Sequence, residues 1–327
     1  MHPAFSVIFL TTLVGIGQGL FLALYSGQIY SMMKLLPAQD SQSFYALGSL
    51  IAVGFLIAGL FASFFHLGRP MRAWRSANKW RTSWLSREVI ILPATTSLII
   101  LYGCIHYFGW NQPLFVVAKT QPIDLSLVIG LLATLSTFIL FICTSMIYAS
   151  VKFMQEWYNP LTVINYILLG AASGFTLAAV FSVIMEADVV GFYVLWAVVL
   201  TITAFITRAA TLLRNNNIIP KSNLQTAIGV RHTIIAQKSQ GFMCGSFNTQ
   251  EFFHNKSAIQ LTAIKNIFLL LVFPIPVFML IVAASGFFTL YLTIAAFIIQ
   301  YLGLLIERWY FFSEGKHPQN IYYQSVS

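Results

Sequence analysis

The sequence predicts an all-α fold, a polytopic membrane protein built as a bundle of eight transmembrane helices. Two compositional observations and one pattern support this fold class. Of 327 residues, 58% are hydrophobic and only 8% are charged, whereas soluble chains carry about 25% charged residues. This charge is too sparse to form the polar shell of a soluble domain. The pattern is a series of long apolar runs, each near the roughly 20 residues that a spanning helix needs.

Eight such runs place residues 1–327 in a single integral-membrane domain. They cover about residues 5–29, 43–66, 89–108, 124–150, 161–185, 189–207, 266–285 and 287–306. Very short turns separate the fifth run from the sixth and the seventh from the eighth, so each of these pairs is predicted to form a helical hairpin. The loops at 67–88 and 208–265 are longer. The second is rich in aromatic and aliphatic residues, which indicates an ordered docking element rather than a disordered linker.

The basic residues divide unevenly between the two sides of the predicted bundle. Eight crossings put both termini on one side, and sixteen of the 18 lysines and arginines fall there, leaving only Lys34 and Lys119 on the other side. Because Lys and Arg resist translocation, the basic side is predicted to be cytoplasmic. The expected location is therefore a bacterial inner membrane, with both termini and both long loops in the cytoplasm.

Cysteine and carboxylate positions narrow the possible functions. The three cysteines (Cys104, Cys143 and Cys244) stand apart, whereas one iron–sulfur cluster needs about four thiolates, so we expect no cluster in this chain. All nine acidic residues fall at the ends of predicted spans or in loops. An ion-coupled transporter is expected to have an intramembrane carboxylate, so this placement weighs against a transporter, which stays as an alternative.

The loop between the second and third runs holds the densest set of candidate functional residues. His66 ends the second run and Glu88 lies at the start of the third, with three tryptophans and six basic residues between them. Histidine titrates near neutral pH and can hydrogen-bond a quinone oxygen, while a carboxylate can pass on the proton. We therefore predict His66 and Glu88 as the catalytic, proton-exchanging residues of a quinone site. The alternative interpretation is an aromatic and basic anchor belt at the membrane interface.

The six histidines do not predict a haem site. A transmembrane b-type haem typically needs two axial histidines at matching depth, but His66 and His106 fall at opposite ends of their spans and the other histidines lie outside the spans. We expect no haem in this chain. A loop histidine folding over His66 stays open as an alternative.

Small and polar residues inside the apolar runs predict helix contacts. The glycines of the segment 15–19 lie mid-span with no preceding strand, so we expect them to permit close helix packing rather than to bind phosphate. Gln18 and Asn165 are expected to hydrogen-bond neighbouring helices, and Gln18 alternatively lines a quinone pocket. Pro274 and Pro276 predict a kink in the seventh span.

The pattern HLGRPMRAWRSANKWRTSWLSREV at residues 66–89 resembles the membrane-anchor subunits of the dimethyl sulfoxide reductase type. The resemblance extends to the opening HPAFSVIFLTTLVGIGQGLFLALY, to GSFNTQEFFHNK and to the ending ERWYFFSEGKHPQNIYY. It implies eight spans and a quinone-reactive anchor that carries neither molybdenum nor haem. It also implies two partners, a four-cluster iron–sulfur subunit and a molybdopterin catalytic subunit.

The resemblance assigns expected roles in a quinone site. His66 becomes the first candidate ligand of a ubiquinone or menaquinone, and Glu88 its proton partner. Gly68 belongs to the HLG motif, and Arg72 matches the pattern HLGxPxRA as a supporting group. With Gln18, these residues form the expected quinone-binding set.

The opening and the arginine-rich loop are more similar to the anchors of quinone-dependent sulfite dehydrogenases, whose catalytic subunits stay in the cytoplasm. We therefore expect electrons to pass from sulfite oxidation on a cytoplasmic partner to membrane quinone. One alternative is the reverse flow, from quinol to dimethyl sulfoxide or a related acceptor; another is a structural anchor that passes no electrons. The expected partners are lipid and protein subunits, not nucleic acid.

Overall fold

The computed structural model describes residues 3–110, 112–117, 121–235, 254 and 256–317. It confirms the predicted all-α fold, because eight helices in this part of the chain are long and apolar enough to span a membrane. They are α1 Phe5–Met32, α2 Ser41–His66, α3 Trp84–Phe108, α4 Leu125–Ala149, α5 Pro160–Ile184, α6 Val190–Asn216, α7 Ala258–Ala284 and α8 Thr289–Glu314. The smaller elements are a 3-10 segment Pro70–Lys79, an antiparallel hairpin of β1 Pro113–Val117 and β2 Gln121–Asp124, and a short helix Leu224–Ile228.

Polar side chains fix where several of these helices begin. The Ser83 side chain accepts a hydrogen bond from the Ser86 amide at the start of α3, and the Asp124 carboxylate accepts one from the Leu127 amide at the start of α4. Ser257 opens α7 with a reciprocal capping box. Each cap satisfies an amide that has no partner within its own helix.

Consecutive helices alternate in direction, which gives the bundle two distinct ends. Gly59 of α2 packs on Val14 of α1, and Gly48 packs on Leu24, so these two helices are antiparallel. The first turns of α1 and the last turns of α8 share one hydrophobic cluster. We call the end where α1 begins and α8 ends the terminal end, and the opposite end the far end.

The eight helices form two four-helix groups, α1–α4 and α5–α8. In each group the first helix packs against the second, the third packs against the fourth, and the fourth also packs against the first. Helices α1 and α5 join the two groups and are the most enclosed of the eight spans. The core of the molecule therefore lies along these two helices.

Glycines permit the close approach of α1 and α5. Gly15 and Gly19 of α1 face Gly170 and Gly174 of α5, and a Cβ atom placed on Gly19 would overlap the carbonyl of Gly170. The two helices run parallel, because Gly15 lies beside Gly170 and Gly19, one turn later, lies beside Gly174. The packing role predicted for the segment 15–19 is confirmed.

Helix α7 begins eight residues before its predicted span, and two helices end well beyond the point that the hydropathy of the sequence indicates. Helix α6 continues to Asn216 and α8 continues to Glu314, whereas the predicted spans end near 207 and 306. The apolar runs stop where charged residues begin, but the backbone stays helical because those charges are paired inside the bundle, as described below.

Helix α7 begins at Ala258 and is interrupted at Phe273, between Val272 and Pro274. The kink predicted from the prolines is therefore confirmed. Since α6 ends at Asn216, the long loop is shorter than the predicted 208–265 segment. Its residues 236–253 and 255 lie outside the described residues, so an ordered docking element there stays a prediction.

Candidate functional site

His66 and Gly68 lie on the surface of the terminal end. His66 is the last residue of the 3-10 turn that finishes α2, and it is exposed. Within the described ranges no hydrogen bond or ion pair involves its imidazole. Gly68 is also exposed, and a side chain added there would meet no atom within 4 Å. An exposed imidazole with its donor and acceptor available can bind a carbonyl or hydroxyl group of a ligand.

The loop that follows presents arginines and aromatic faces at the surface. Arg72 is exposed within the 3-10 segment. Three tryptophans each stack with the guanidinium of a nearby arginine, in the pairs Trp74–Arg75, Trp80–Arg81 and Trp84–Arg87. Arg87 also donates hydrogen bonds of 2.9 Å to the carbonyls of Trp80 and Arg81, which ties the end of the loop to α3.

Glu88 lies inside the bundle, one turn into α3. Its side chain is buried, with the residue 7% exposed, and its Oε1 accepts a hydrogen bond of 2.6 Å from the Thr144 hydroxyl of α4. The contacts of the described residues do not join this carboxyl to His66. Their cooperation at one quinone site therefore stays a prediction, and Thr144 is a partner of Glu88 that the sequence did not indicate.

Gln18 lies deeper in α1 and faces a small internal cavity. Its side-chain amide donates a hydrogen bond of 3.1 Å to the Thr137 carbonyl of α4, which confirms the predicted contact with a neighbouring helix. The cavity has a volume of about 20 Å³, and Thr144, Tyr166 and Arg308 also line it. This volume is enough for one water molecule and too small for a quinone ring. The quinone-pocket role considered for Gln18 stays a prediction.

Sequence reasoning missed a cluster of buried charges between α6 and α8. Arg208 and Glu307 are each 1% exposed, and Arg208 Nε lies 2.8 Å from Glu307 Oε1. Arg308 Nε lies 3.3 Å from Glu307 Oε2, and Arg208 Nη1 lies 3.8 Å from Glu314 Oε2. The expectation that every acidic residue lies at a span end or in a loop is wrong for Glu307, which is buried inside α8.

The contact between α5 and α6 adds neutral hydrogen bonds beside this cluster. Asn165 donates to the Thr211 hydroxyl at 2.8 Å and accepts from the Thr207 hydroxyl at 2.7 Å. This confirms that Asn165 bonds a neighbouring helix. It also fixes the rotation of α6, which places Arg208 toward α8.

A second buried polar network occupies the far end. Tyr102 of α3 donates a hydrogen bond of 2.8 Å to Gln28 Oε1 of α1, and Gln28 in turn donates to the Ser126 hydroxyl at 2.6 Å. Ser126 donates to Asp124 at 2.8 Å. Beside this chain, the buried His106 lies with its Nδ1 2.6 Å from the Ser41 hydroxyl oxygen and its ring against Tyr102.

The remaining histidines and cysteines form no metal-binding group among the described residues. His254 is buried, and its ring contacts Trp309 of α8. Cys104 and Cys143 are free thiols in α3 and α4, and Cys244 lies outside the described residues. The expected absence of haem and of iron–sulfur clusters stays a prediction.

Comparisons with known proteins agree with this architecture. Residues 1–314 match the family model of the DMSO reductase anchor subunit, DmsC. The chain is also 56% identical over 331 aligned residues to a sulfite dehydrogenase subunit of Allochromatium vinosum, with 100% of both chains covered.

Proposed function

The chain belongs to the DMSO reductase anchor subunit (DmsC) family, and from this premise we propose that it is the quinone-reactive anchor of a membrane-bound sulfite dehydrogenase. In the proposed reaction a partner subunit converts sulfite and water to sulfate, two electrons and two protons. This chain then delivers two electrons to a membrane quinone, which takes up two protons and becomes quinol. The observation that carries the proposal is the 56% identity, over the full length of both chains, with the sulfite dehydrogenase subunit of Allochromatium vinosum.

His66 is the proposed ligand of the quinone ring. It is exposed at the end of α2 with no hydrogen-bond partner among the described residues, so its imidazole is available to a quinone oxygen. The open space at Gly68 leaves room for a ring beside the backbone. The exposed Arg72 of the same loop is proposed to supply a positive charge that favours the reduced, more negative oxygen. Glu88 is the proposed internal proton donor.

We propose that the terminal end faces the cytoplasm, because all but two of the 18 lysines and arginines belong to that side of the chain. The loop between α2 and α3 and the segment between α6 and α7 then form the proposed docking surface for an iron–sulfur subunit, which in turn binds the molybdopterin subunit. Met71 is 89% exposed and Trp74 is 66% exposed in the first loop. Exposed aromatic residues and arginines of this kind are enriched in the cores of protein interfaces.

The test is isolation of the complex from native membranes in mild detergent, followed by two assays with sulfite. The first measures reduction of a soluble quinone, and the second measures reduction of ferricyanide, which takes electrons from the partner subunits directly. We expect His66→Ala to abolish quinone reduction while co-purification of the partners and ferricyanide reduction stay at wild-type levels.

Other outcomes separate the alternatives. Loss of the partners from His66→Ala would mean that His66 is structural. Partners that catalyse only quinol-dependent reduction of a sulfoxide would reverse the proposed direction of electron flow. Isolation of the chain without partners would contradict the proposal and make transport the next function to test.

A further inference from the structure

The polar groups at the terminal end share one layer of the bundle. Glu88, Thr144, Tyr166, Arg308 and Arg208 lie four to eight residues from the ends of their helices, which corresponds to roughly 6–12 Å of depth at 1.5 Å per residue. The layer crosses from α3 in the first helix group to α6 in the second. Charged side chains buried within spanning helices are costly, and in membrane proteins they often mark ion or proton paths.

The charged part of the layer reaches the surface at Glu314. Its side chain is 13% exposed at the end of α8, whereas those of Arg208 and Glu307 are each 1% exposed. Glu307 Oε2 lies near Arg308 but has no hydrogen-bond partner of good geometry among the described residues. A buried carboxylate oxygen in this state can accept a bond from a water molecule or carry a proton itself.

The central part of the layer is the water-sized cavity. Arg308 lines it on one side and stacks 3.8 Å above the ring of Tyr166. The Tyr166 hydroxyl is buried and makes no hydrogen bond of good geometry among the described residues. Since Gln18 and Thr144 also line the cavity, a water molecule there finds the two to four polar partners that a buried water needs.

Thr144 connects this cavity to Glu88. The threonine lines the cavity, and its hydroxyl donates the 2.6 Å hydrogen bond to Glu88 Oε1. Glu88 itself is 7% exposed, and its neighbours Trp84 and Arg87 stack on each other at the surface. The described contacts therefore lead from Glu88 into the bundle rather than to the surface.

We propose that this layer is a proton relay that supplies Glu88 from the terminal surface through Glu314, Glu307, the cavity water and the Thr144 hydroxyl. Arg208 contacts both Glu314 and Glu307, and Arg308 contacts Glu307 and lines the cavity, so the two arginines mark where protons pass between these groups. The proposal rests on the proposed function, in which each quinone takes up two protons with its two electrons. Arginine does not lose its proton in proteins, so Arg208 and Arg308 are positioning residues that hold the carboxylates in place. Each transfer moves one proton along the layer toward Glu88, and an identical proton from solvent replaces it at Glu314.

The chain offers a matched pair of variants to test the relay. Thr144→Val removes the hydroxyl between the cavity and Glu88. Thr95→Val is the control, because the buried Thr95 hydroxyl also bonds between α3 and α4, to Ser136 at 2.6 Å, but lies outside the layer. Glu307→Gln tests the charged part, and Glu307→Asp tests whether a shorter carboxylate restores function.

The assays use the intact complex with sulfite between pH 6 and pH 9. We expect Thr144→Val and Glu307→Gln to lower quinone reduction at least tenfold at high pH and less at low pH, where protons are abundant. Ferricyanide reduction should be unchanged, Glu307→Asp should recover most of the rate, and Thr95→Val should match the wild type.

Wild-type quinone reduction by Thr144→Val across the pH range would overturn the relay, as would an equal loss in Thr95→Val. A wild-type complex that reduces ferricyanide but not quinone would instead overturn the proposed function. In that case the test of the relay is the rate at which the proton of the Glu88 carboxyl exchanges with D2O, measured by infrared spectroscopy. Slower exchange in Thr144→Val than in Thr95→Val supports the relay, and equal exchange overturns it.

Discussion

The two ends of the bundle both bury polar side chains, but they do so with different chemistry. The terminal end encloses the charged residues Arg208, Glu307 and Arg308. The far end encloses a network of neutral groups in which Tyr102, Gln28 and Ser126 are joined by hydrogen bonds. Only the outermost member of the far network, Asp124, is an acid, and it caps α4.

The proposed relay makes this difference one between a structural use of polarity and a functional one. In the far network the side chains of Tyr102, Gln28, Ser126 and Asp124 bond one another and hold α1, α3 and α4 together, although Nε2 of the adjacent His106 has no hydrogen-bond partner among the described residues. In the terminal cluster the unsatisfied atoms belong to charged groups, such as Glu307 Oε2, which lies 3.3 Å from Arg308 Nε without a hydrogen bond of good geometry in the described part of the chain. Neutral hydrogen-bonded pairs would hold the helices together with a smaller desolvation penalty than buried charges. The charges at the terminal end therefore indicate a second role.

The largest expected effect comes from removing one charge of the terminal cluster. Arg208→Met leaves Glu307 buried without its closest partner, so we expect the free energy of unfolding to fall by about 3–5 kcal/mol. Denaturant unfolding of the purified anchor in detergent measures this loss. The exposed Arg69→Met serves as the control and should change the value by less than about 0.5 kcal/mol. Equal losses of stability in both variants would show that a charge of the cluster contributes no more to the free energy of unfolding than an exposed charge does.

A second prediction concerns the glycine contact that joins the two helix groups between these ends. Gly19→Ala places a methyl group against the backbone of Gly170, which cannot yield as a side chain can. We expect a loss of about 3 kcal/mol in the free energy of unfolding, measured in the same way. Gly54→Ala is the matched control, since a Cβ atom there meets nothing within 4 Å. A tolerated Gly19→Ala would show that α1 and α5 can separate independently of either polar cluster.

The third prediction tests the neutral end directly. Tyr102→Phe removes the hydroxyl that bonds Gln28 Oε1, and we expect a loss of about 1 kcal/mol in stability. Quinone reduction by the assembled complex should stay at the wild-type rate, because the far network lies outside the proposed relay. A pH-dependent fall in quinone reduction, like that expected for Thr144→Val, would extend the functional region to both ends.

The smallest effect is expected at an exposed charge of the far end. The Ser43 hydroxyl and amide donate hydrogen bonds to the Asp40 carboxylate, which lower the pKa of Asp40 below its ordinary value of 3.8. A carboxyl with a lowered pKa stabilises the fold above its ordinary value, and this contribution is lost as the pH falls through the folded-state pKa. Melting temperatures between pH 3 and pH 7 should therefore decline slightly more at acid pH in the wild type than in Asp40→Asn, whose amide still caps α2. Parallel curves would contradict this assignment.

Much of the fold could be predicted because hydropathy follows directly from the solvent. Apolar runs of spanning length identified all eight helices, and the mid-span glycines indicated the α1–α5 contact. The ends of α6 and α8 were missed because Arg208 and Glu307 appear, in sequence, to mark the start of a loop. They pair between helices far apart in the chain, and a single sequence carries no signal of such pairing.

The candidate site could be predicted only in part for the same reason. His66 and Glu88 stand out because both lie beside a loop rich in tryptophan and arginine. Residue type alone did not reveal that Glu88 is buried against Thr144 or that Gln18 faces a cavity the size of one water molecule. Those facts depend on helix rotation, which the packing of eight helices decides together.

The parallel contact of α1 and α5 has a consequence for biosynthesis. Gly19 leaves the ribosome about 155 residues before Gly174, which at 5–20 residues per second is a delay of roughly 10–30 s. During that interval the glycine face of the first helix has no native partner in the bilayer. Lipid covers this face until the fifth helix arrives, so the central contact of the bundle can form only after the first five helices have been made.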